Sequence, residues 1–207
     1  MSFKDVNPVI NGYMQKSAMH MQDGIMFVVL SIKTPFHTMM NQMTDYRKHG
    51  LSSKYVWGFK KQTLEYLVEN RDYLYADLMH LWDSPWQTVA DRDKAMMLRL
   101  TDVPGLGLVK AGFVMQMMFG RVGCIDVHNS RRFYKITNKD LVFSPKAKVT
   151  TKLTKIDNYV NICKGHRSTE KLWDSWCDLI ADKHCNHFSS GWDVSKYHLE
   201  ALVGRTL

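Results

Sequence analysis

Apolar residues recur at three- and four-residue steps along nearly the whole chain, and the strict alternation of a strand is scarce. A chain patterned this way buries one stripe of each segment against other helices, so the expected fold is all-α. Asn7-Pro8 reads as an N-cap followed by proline at the first helical position. A second helix covers Gln22 to Ser31, and Pro35 restarts a third that runs to about Lys48, ahead of Gly50. Leu64, Leu67 and Val68 keep helical spacing, as do Leu74, Leu78 and Leu81 before the Asp83-Ser84-Pro85 turn. Asp91 suits the cap of a helix through Leu100, and Ser168 to Lys183 sets Leu172, Trp173, Trp176 and Ile180 on one face. The polar, lysine-rich stretch from Thr137 to Thr154 reads as a long loop.

Composition narrows the class further. At 45% hydrophobic and 23% charged residues, the 207-residue chain is an ordinary globular mixture, which excludes a fibrous or fully disordered protein. The longest apolar run, Ile25 to Leu30, is far shorter than the ~20 residues that span a bilayer, so no membrane association is expected. The opening MSFKDVNPVI lacks the basic start and apolar stretch of a secretory leader. Four cysteines at irregular intervals make no disulfide framework, so an intracellular, reduced protein is expected, in the cytoplasm or nucleoid or in a host cytoplasm. The net charge of +8 and a pI near 9.3 suit a polyanionic partner such as DNA.

One stretch carries the chemistry. Pro104-Gly105-Leu106-Gly107 joins the end of one helix to the start of the next, with glycines that let the backbone approach a ligand closely. Amides of Gly105, Gly107 and the following turn would then face outward and hold an anion at a helix N-terminus. Such a grip on phosphate carries no base information. The helix after the hairpin ends at Gly120, a C-cap, and Asp126 precedes a further helical segment from Val127 to Tyr134.

A hydrophobic-Pro-Gly-hydrophobic-Gly hairpin, a helix closing on Phe119-Gly120 and then Ile125-Asp126-Val127-His128 resemble the helix-hairpin-helix DNA glycosylases with the Gly-Pro-Asp motif. The likeness to endonuclease III is strongest over about 35 residues, from Leu100 to Tyr134. The spacing from Pro-Gly to Phe-Gly agrees residue for residue, and the step from Phe-Gly to the Asp is one residue shorter. A weaker likeness covers Phe27 to Thr34, which is similar to the family's early helix and the turn after it.

The resemblance implies two helical lobes with a cleft between them. Residues 21–125 would form a six-helix barrel with its hairpin at 103–107, and residues 1–20 with 126–207 the second lobe. It implies a monomer acting on double-stranded DNA that carries a modified or mismatched base, flipping that base and hydrolysing its N-glycosidic bond. Asp126 would be the catalytic carboxylate. Gly105, Leu106, Gly107, Val109, Lys110, Lys33, His128 and Arg131 would meet the DNA.

Two departures bear on the chemistry. Bifunctional members carry a catalytic lysine two residues after the second hairpin glycine, where this chain has Val109. Lys110 is one step on, ~100° around the helix, and is expected to leave from a different face. That implies a monofunctional enzyme using water. Cys163, Cys177 and Cys185 are spaced too widely for the family's iron–sulfur loop, so no cofactor is expected.

Other readings of the same residues stand beside these. Asp126 suits a plain helix cap, and both roles can coexist. A non-catalytic hairpin protein that only binds DNA is the competing class. Cys177, His184, Cys185 and His187 have a spacing unlike common zinc fingers, and no metal is assigned to them. Trp57, Phe59, Trp82 and Trp86 are candidates for base stacking, and aromatics at helical spacing equally suit a core.

Overall fold

In the computed structural model the described residues are 3–126, 129–130, 141–144, 147–165 and 169–204. Among them the protein is helical, with no strand, and the helices are α1 (Phe3–Met14), α2 (Ala18–Leu30), α3 (Met39–His49), α4 (Phe59–Asp83) and α5 (Val89–Leu100). α6 (Leu108–Phe119), α7 (Val149–Gly165), α8 (Thr169–Lys183) and α9 (Gly191–Val203) complete the set. Single 3-10 turns occupy Phe36–Thr38 and Gly50–Ser52. No described helix is long and apolar enough to cross a membrane.

α2 and α6 are the central pair. Each is apolar on almost every side and buries ten residues, so neither can stand at the surface. They pack on each other and are wrapped by α1, which touches both, by α4 against α2 and by α5 against α6. α9 lies on α8, α1 and α3, and α7 lies on α5. The segment 21–125 thus holds most of α2, all of α3 to α6 and the two 3-10 turns.

Several local expectations change. Pro8 lies inside α1 rather than at its start, because Phe3, Val6, Ile10 and Met14 form one buried stripe that extends to both sides of it. The burial of that stripe outweighs the main-chain bond that proline forgoes. Two apolar clusters fuse into the 25-residue α4. The cap of α5 is Thr88, three residues before Asp91. The Asp91 amide donates to Thr88 Oγ1 (3.1 Å) and that hydroxyl donates to the Asp91 carboxylate (2.6 Å), a reciprocal box. The polar stretch expected as loop to Thr154 turns helical at Val149, where Ile156, Tyr159, Val160 and Cys163 supply a buried face.

The ends of the two central helices define the site. α2 stops at Leu30 and its chain turns through Ser31 to Pro35, while α6 starts at Leu108 beside the hairpin. The first turns of α4 hold both. Buried Lys60 donates from Nζ to the Leu30 carbonyl (3.0 Å) and Thr34 Oγ1 (3.4 Å), and Thr63 Oγ1 donates to the Pro104 carbonyl (2.7 Å).

Candidate active site

The hairpin is built on Gly105. Its φ of +85° is left-handed, and a Cβ there would lie 2.7 Å from Thr63 Oγ1, so a side chain is refused on both counts. Leu106 anchors the turn inward, with its side chain buried and its amide donating to the Val103 carbonyl at 3.0 Å. Gly107 differs from Gly105: nothing lies within 4 Å of where its Cβ would be. As the N-cap of α6 it brings no capping side chain, and its carbonyl accepts the first helical bonds from Lys110 and Ala111. The amides of Gly107, Leu108 and Val109 are then the donors that a helix start leaves over.

Beside the first turn of α6, just after the hairpin in the chain, lies a cavity of about 610 Å³. Lys33, Val109, Lys110 and Asp126 all line it, so four residues chosen from two distant stretches of sequence share one site. Val109 and Lys110 both face it, contrary to the separation expected from the helix angle. Phe113, itself part of the lining, falls between them around α6, so one face about 100° wide holds all three, and the lysine stem brings Nζ to 5.9 Å from the Phe113 ring centre. His128 and Arg131 lie outside the described residues.

Asp126 is held by its backbone. The segment Arg121 to Asp126 is irregular, yet several main-chain groups in its middle are tied to other elements. Tyr159, buried on α7, donates to the Gly123 carbonyl (2.8 Å) and accepts from the Ile125 amide (2.9 Å). Gln116 of α6 accepts the Cys124 amide (3.1 Å), and Asn129 donates to the Cys124 carbonyl (2.9 Å). Thr169 Oγ1 donates to the Val122 carbonyl at 2.8 Å. Val122 itself has φ +62°, a costly backbone for a β-branched residue that these bonds sustain. Gly112 lets the segment sit against α6, since a Cβ there would be 2.6 Å from the Gly123 carbonyl.

The Asp126 side chain accepts the Asn129 amide (2.8 Å), so it caps the helical backbone at 129–130 and lines the cavity at once. Beside it Cys124 is buried, which pushes its thiol up to about 12, the Asp126 charge acting the same way and Lys110 against it. Lys33 has φ +56° in the turn fixed by Lys60, and it faces the cavity from the α2 side.

Part of the cavity wall lay outside the sequence expectations. Phe36, Phe113, Trp176 and Ile180 line it, with Lys183 and His184. Trp176, Ile180, Lys183 and His184 follow one another at helical steps, so the apolar face read along α8 continues into the cavity. His184 belongs to a cluster: the His37 ring stacks on His187 (centres 3.9 Å, 13°) and meets His184 edge-on at 5.3 Å. Burial lowers His37 and His184 below the usual histidine range, and the charges of neighbouring histidines act in the same direction.

Among the described residues no group of three or more His, Cys, Asp or Glu is arranged to hold a metal. Cys177 is buried two helical turns before His184, whereas Cys185 is exposed. The four aromatic candidates do not line the cavity. Trp82 stacks on Phe119 (4.7 Å) and carries the Arg92 guanidinium at 3.8 Å, Phe59 packs on the core beside Gly105, and Trp57 is exposed. No protein-family model matches the chain, and neither does any curated protein or solved structure.

Proposed function

We propose that this chain is a DNA N-glycosylase of the helix-hairpin-helix type, which flips a modified or mismatched base from duplex DNA and hydrolyses its N-glycosidic bond. One observation carries the reading. Asp126, Lys110, Val109 and Lys33 line a single cavity, two of them from the first turn of the helix that follows the hairpin, whose N-cap Gly107 brings no capping side chain.

Each part then has a task. Breaking the bond between base and deoxyribose builds positive charge on the sugar, which a fixed carboxylate stabilises while it orients and deprotonates the attacking water. Asp126 supplies that carboxylate, and the bonds of Tyr159, Gln116 and Asn129 to Cys124 and Ile125 hold the backbone just before it. The amides of Gly107, Leu108 and Val109 take a phosphate of the strand that bears the flipped nucleotide. Lys33 and Lys110 add charge at the cavity, and the remaining surplus of Lys and Arg supplies salt-dependent affinity. About 610 Å³ falls within the usual size of a ligand pocket. In this reading the cavity is the cleft between a hairpin-bearing lobe and a second lobe that includes α8 and α9, and the protein acts as a monomer without a cofactor.

The test is a panel of duplex oligonucleotides carrying uracil, hypoxanthine, oxidised guanine, alkylated purines and mismatches, treated with alkali to reveal abasic sites. Asp126→Asn keeps the cap on Asn129 and removes the charge, so turnover should fall ~10²–10⁴-fold while DNA affinity holds. Excision by the Asn variant at the wild-type rate would overturn the assignment. Binding without excision of any base would leave a hairpin DNA-binding protein.

A further inference from the structure

Among the described residues, the titratable side chains lining the cavity are Lys33, Lys110, Cys124, Asp126, Lys183 and His184. On the glycosylase reading, on which this inference rests, Asp126 already has a task at the sugar. A departing base needs a different service: it leaves with the electron pair of the broken bond, and unless it carries a fixed positive charge it must gain a proton. Imidazole is the side chain suited to give one near neutral pH. The cavity holds one imidazole among its described lining, that of His184, beside the aromatic rings of Phe36, Phe113 and Trp176, against which a base can seat.

We propose that His184 is the general acid that protonates the departing base, that His37 and His187 position its ring, and that the substrate is therefore a neutral modified base rather than a cationic one. The positioning rests on geometry. The 3-10 turn Phe36–Thr38 brings His37 between the other two rings, and Tyr197 of α9 fixes that turn by donating to the His37 carbonyl (2.6 Å) while accepting the Met40 amide (3.0 Å). The amides of His187 and Phe188 close back on the His184 carbonyl at 2.8 and 3.0 Å, which sets the third ring. Nδ1 of His37 is buried without a hydrogen-bond partner, so that ring serves by contact.

The step balances. The bond from C1′ to the base nitrogen breaks and its electron pair goes to the base. The imidazolium of His184 gives its proton to a ring nitrogen of that base, which leaves neutral. Water adds to C1′, its proton passes by way of Asp126 to solvent, and solvent returns a proton to His184. The groups around His184 set its pH response: His37 from the turn, His187 and Lys183 from its own segment, Lys33, Lys110, Cys124 and Asp126 across the cavity. Burial, His37, Lys183 and His187 all lower its proton affinity, so at a given pH less of it is in the acid form than for an ordinary histidine, and that fraction rises as the pH falls.

The experiment compares wild type with His184→Gln on duplexes carrying hypoxanthine, 8-oxoguanine, uracil or mispaired adenine, and on one carrying cationic 7-methylguanine, from pH 5.5 to 8.5. Wild type should excise a neutral base, faster as the pH falls from 8 to 6. The variant should be ~10²-fold slower on that base and lose the pH response. The variant should melt within about 2 °C of wild type, which excludes misfolding as the cause, and any 7-methylguanine excision should stay within about threefold. His187→Ala should shift the pH midpoint with a smaller loss of rate. An unchanged rate and pH profile in His184→Gln, or wild-type excision of 7-methylguanine alone, overturns the inference and leaves the glycosylase reading intact. Wild type that excises no base at all overturns both.

Discussion

Tyr159→Phe removes one oxygen atom and tests whether the phenol hydroxyl holds the segment before Asp126. The ring stays, fully buried, so packing is nearly unchanged. What goes is the hydroxyl that donates to Gly123 (2.8 Å) and accepts from Ile125 (2.9 Å). Burial pushes the Tyr159 phenol well above its usual range, so the native hydroxyl keeps its proton and serves as donor across the working pH range. Without it a buried carbonyl and a buried amide both lose their partner. At ~1–2 kcal/mol for each group left unpaired, the loss is about 2–4 kcal/mol. For a chain of this length that lowers the Tm by roughly 5–15 °C. Urea denaturation followed by circular dichroism measures the first, and a thermal scan the second. On the proposed glycosylase reading, loosening the segment also displaces Asp126, and a shift of ~1 Å at a catalytic group costs up to ~10²-fold in turnover. The double variant with Asp126→Asn should be no slower than Asp126→Asn alone, because both act through one carboxylate. A Tm within about 1 °C of wild type together with unaltered turnover would show that the hydroxyl does not hold the segment.

Three further outcomes rest on particular contacts. Gly105→Ala should destabilise by ~1–3 kcal/mol in denaturant melts, whereas Gly107→Ala should leave the melt unchanged and weaken binding equally on every duplex sequence in a fluorescence-anisotropy titration. His198 is buried among Phe27, Phe113 and Trp173 with neither ring nitrogen paired, and burial lowers it to about 3. The unfolded chain therefore binds a proton that the native state refuses, stability falls by about 3 kcal/mol from pH 6.5 to pH 4, and His198→Phe should flatten that slope in urea melts. Borohydride should trap no protein–DNA adduct on a damaged-base duplex; an adduct that vanishes in Lys110→Ala would make that lysine, which shares the cavity with Asp126, the nucleophile in place of water.

The parts of the site that were legible in the sequence are those whose chemistry is local. A hairpin needs its glycines at fixed offsets, and a cap needs an acceptor ahead of its helix, so Gly105, Gly107, Gly120 and Asp126 all stand out by position. The helical stripes are legible for the same reason, as in α8, whose expected face of Leu172, Trp173, Trp176 and Ile180 is buried. Their ends are less so: Thr88 and Asp91 are both competent caps, and only the backbone turn at Thr88 decides between them.

What escaped detection depends on three-dimensional neighbours. Tyr159, Gln116 and Asn129 act by bonding main-chain atoms of another element, and such a bond imposes no spacing that a sequence can display. His184 stood out in the sequence only as a member of the Cys177, His184, Cys185 and His187 set, and nothing in that spacing marks a histidine as facing a cavity rather than solvent. Lys110 shows a different limit. A rotation of ~100° separates it from Val109 on a helical wheel, which treats each side chain as a point on a cylinder of indefinite length. Val109, Lys110 and Phe113 all line the cavity, and on a 3.6-residue wheel Phe113 falls between the other two, so one face about 100° wide holds all three. A four-carbon stem carries the lysine amine toward the Phe113 ring. The angle between two neighbours therefore separates them only when the face that lines a site is narrower than that angle.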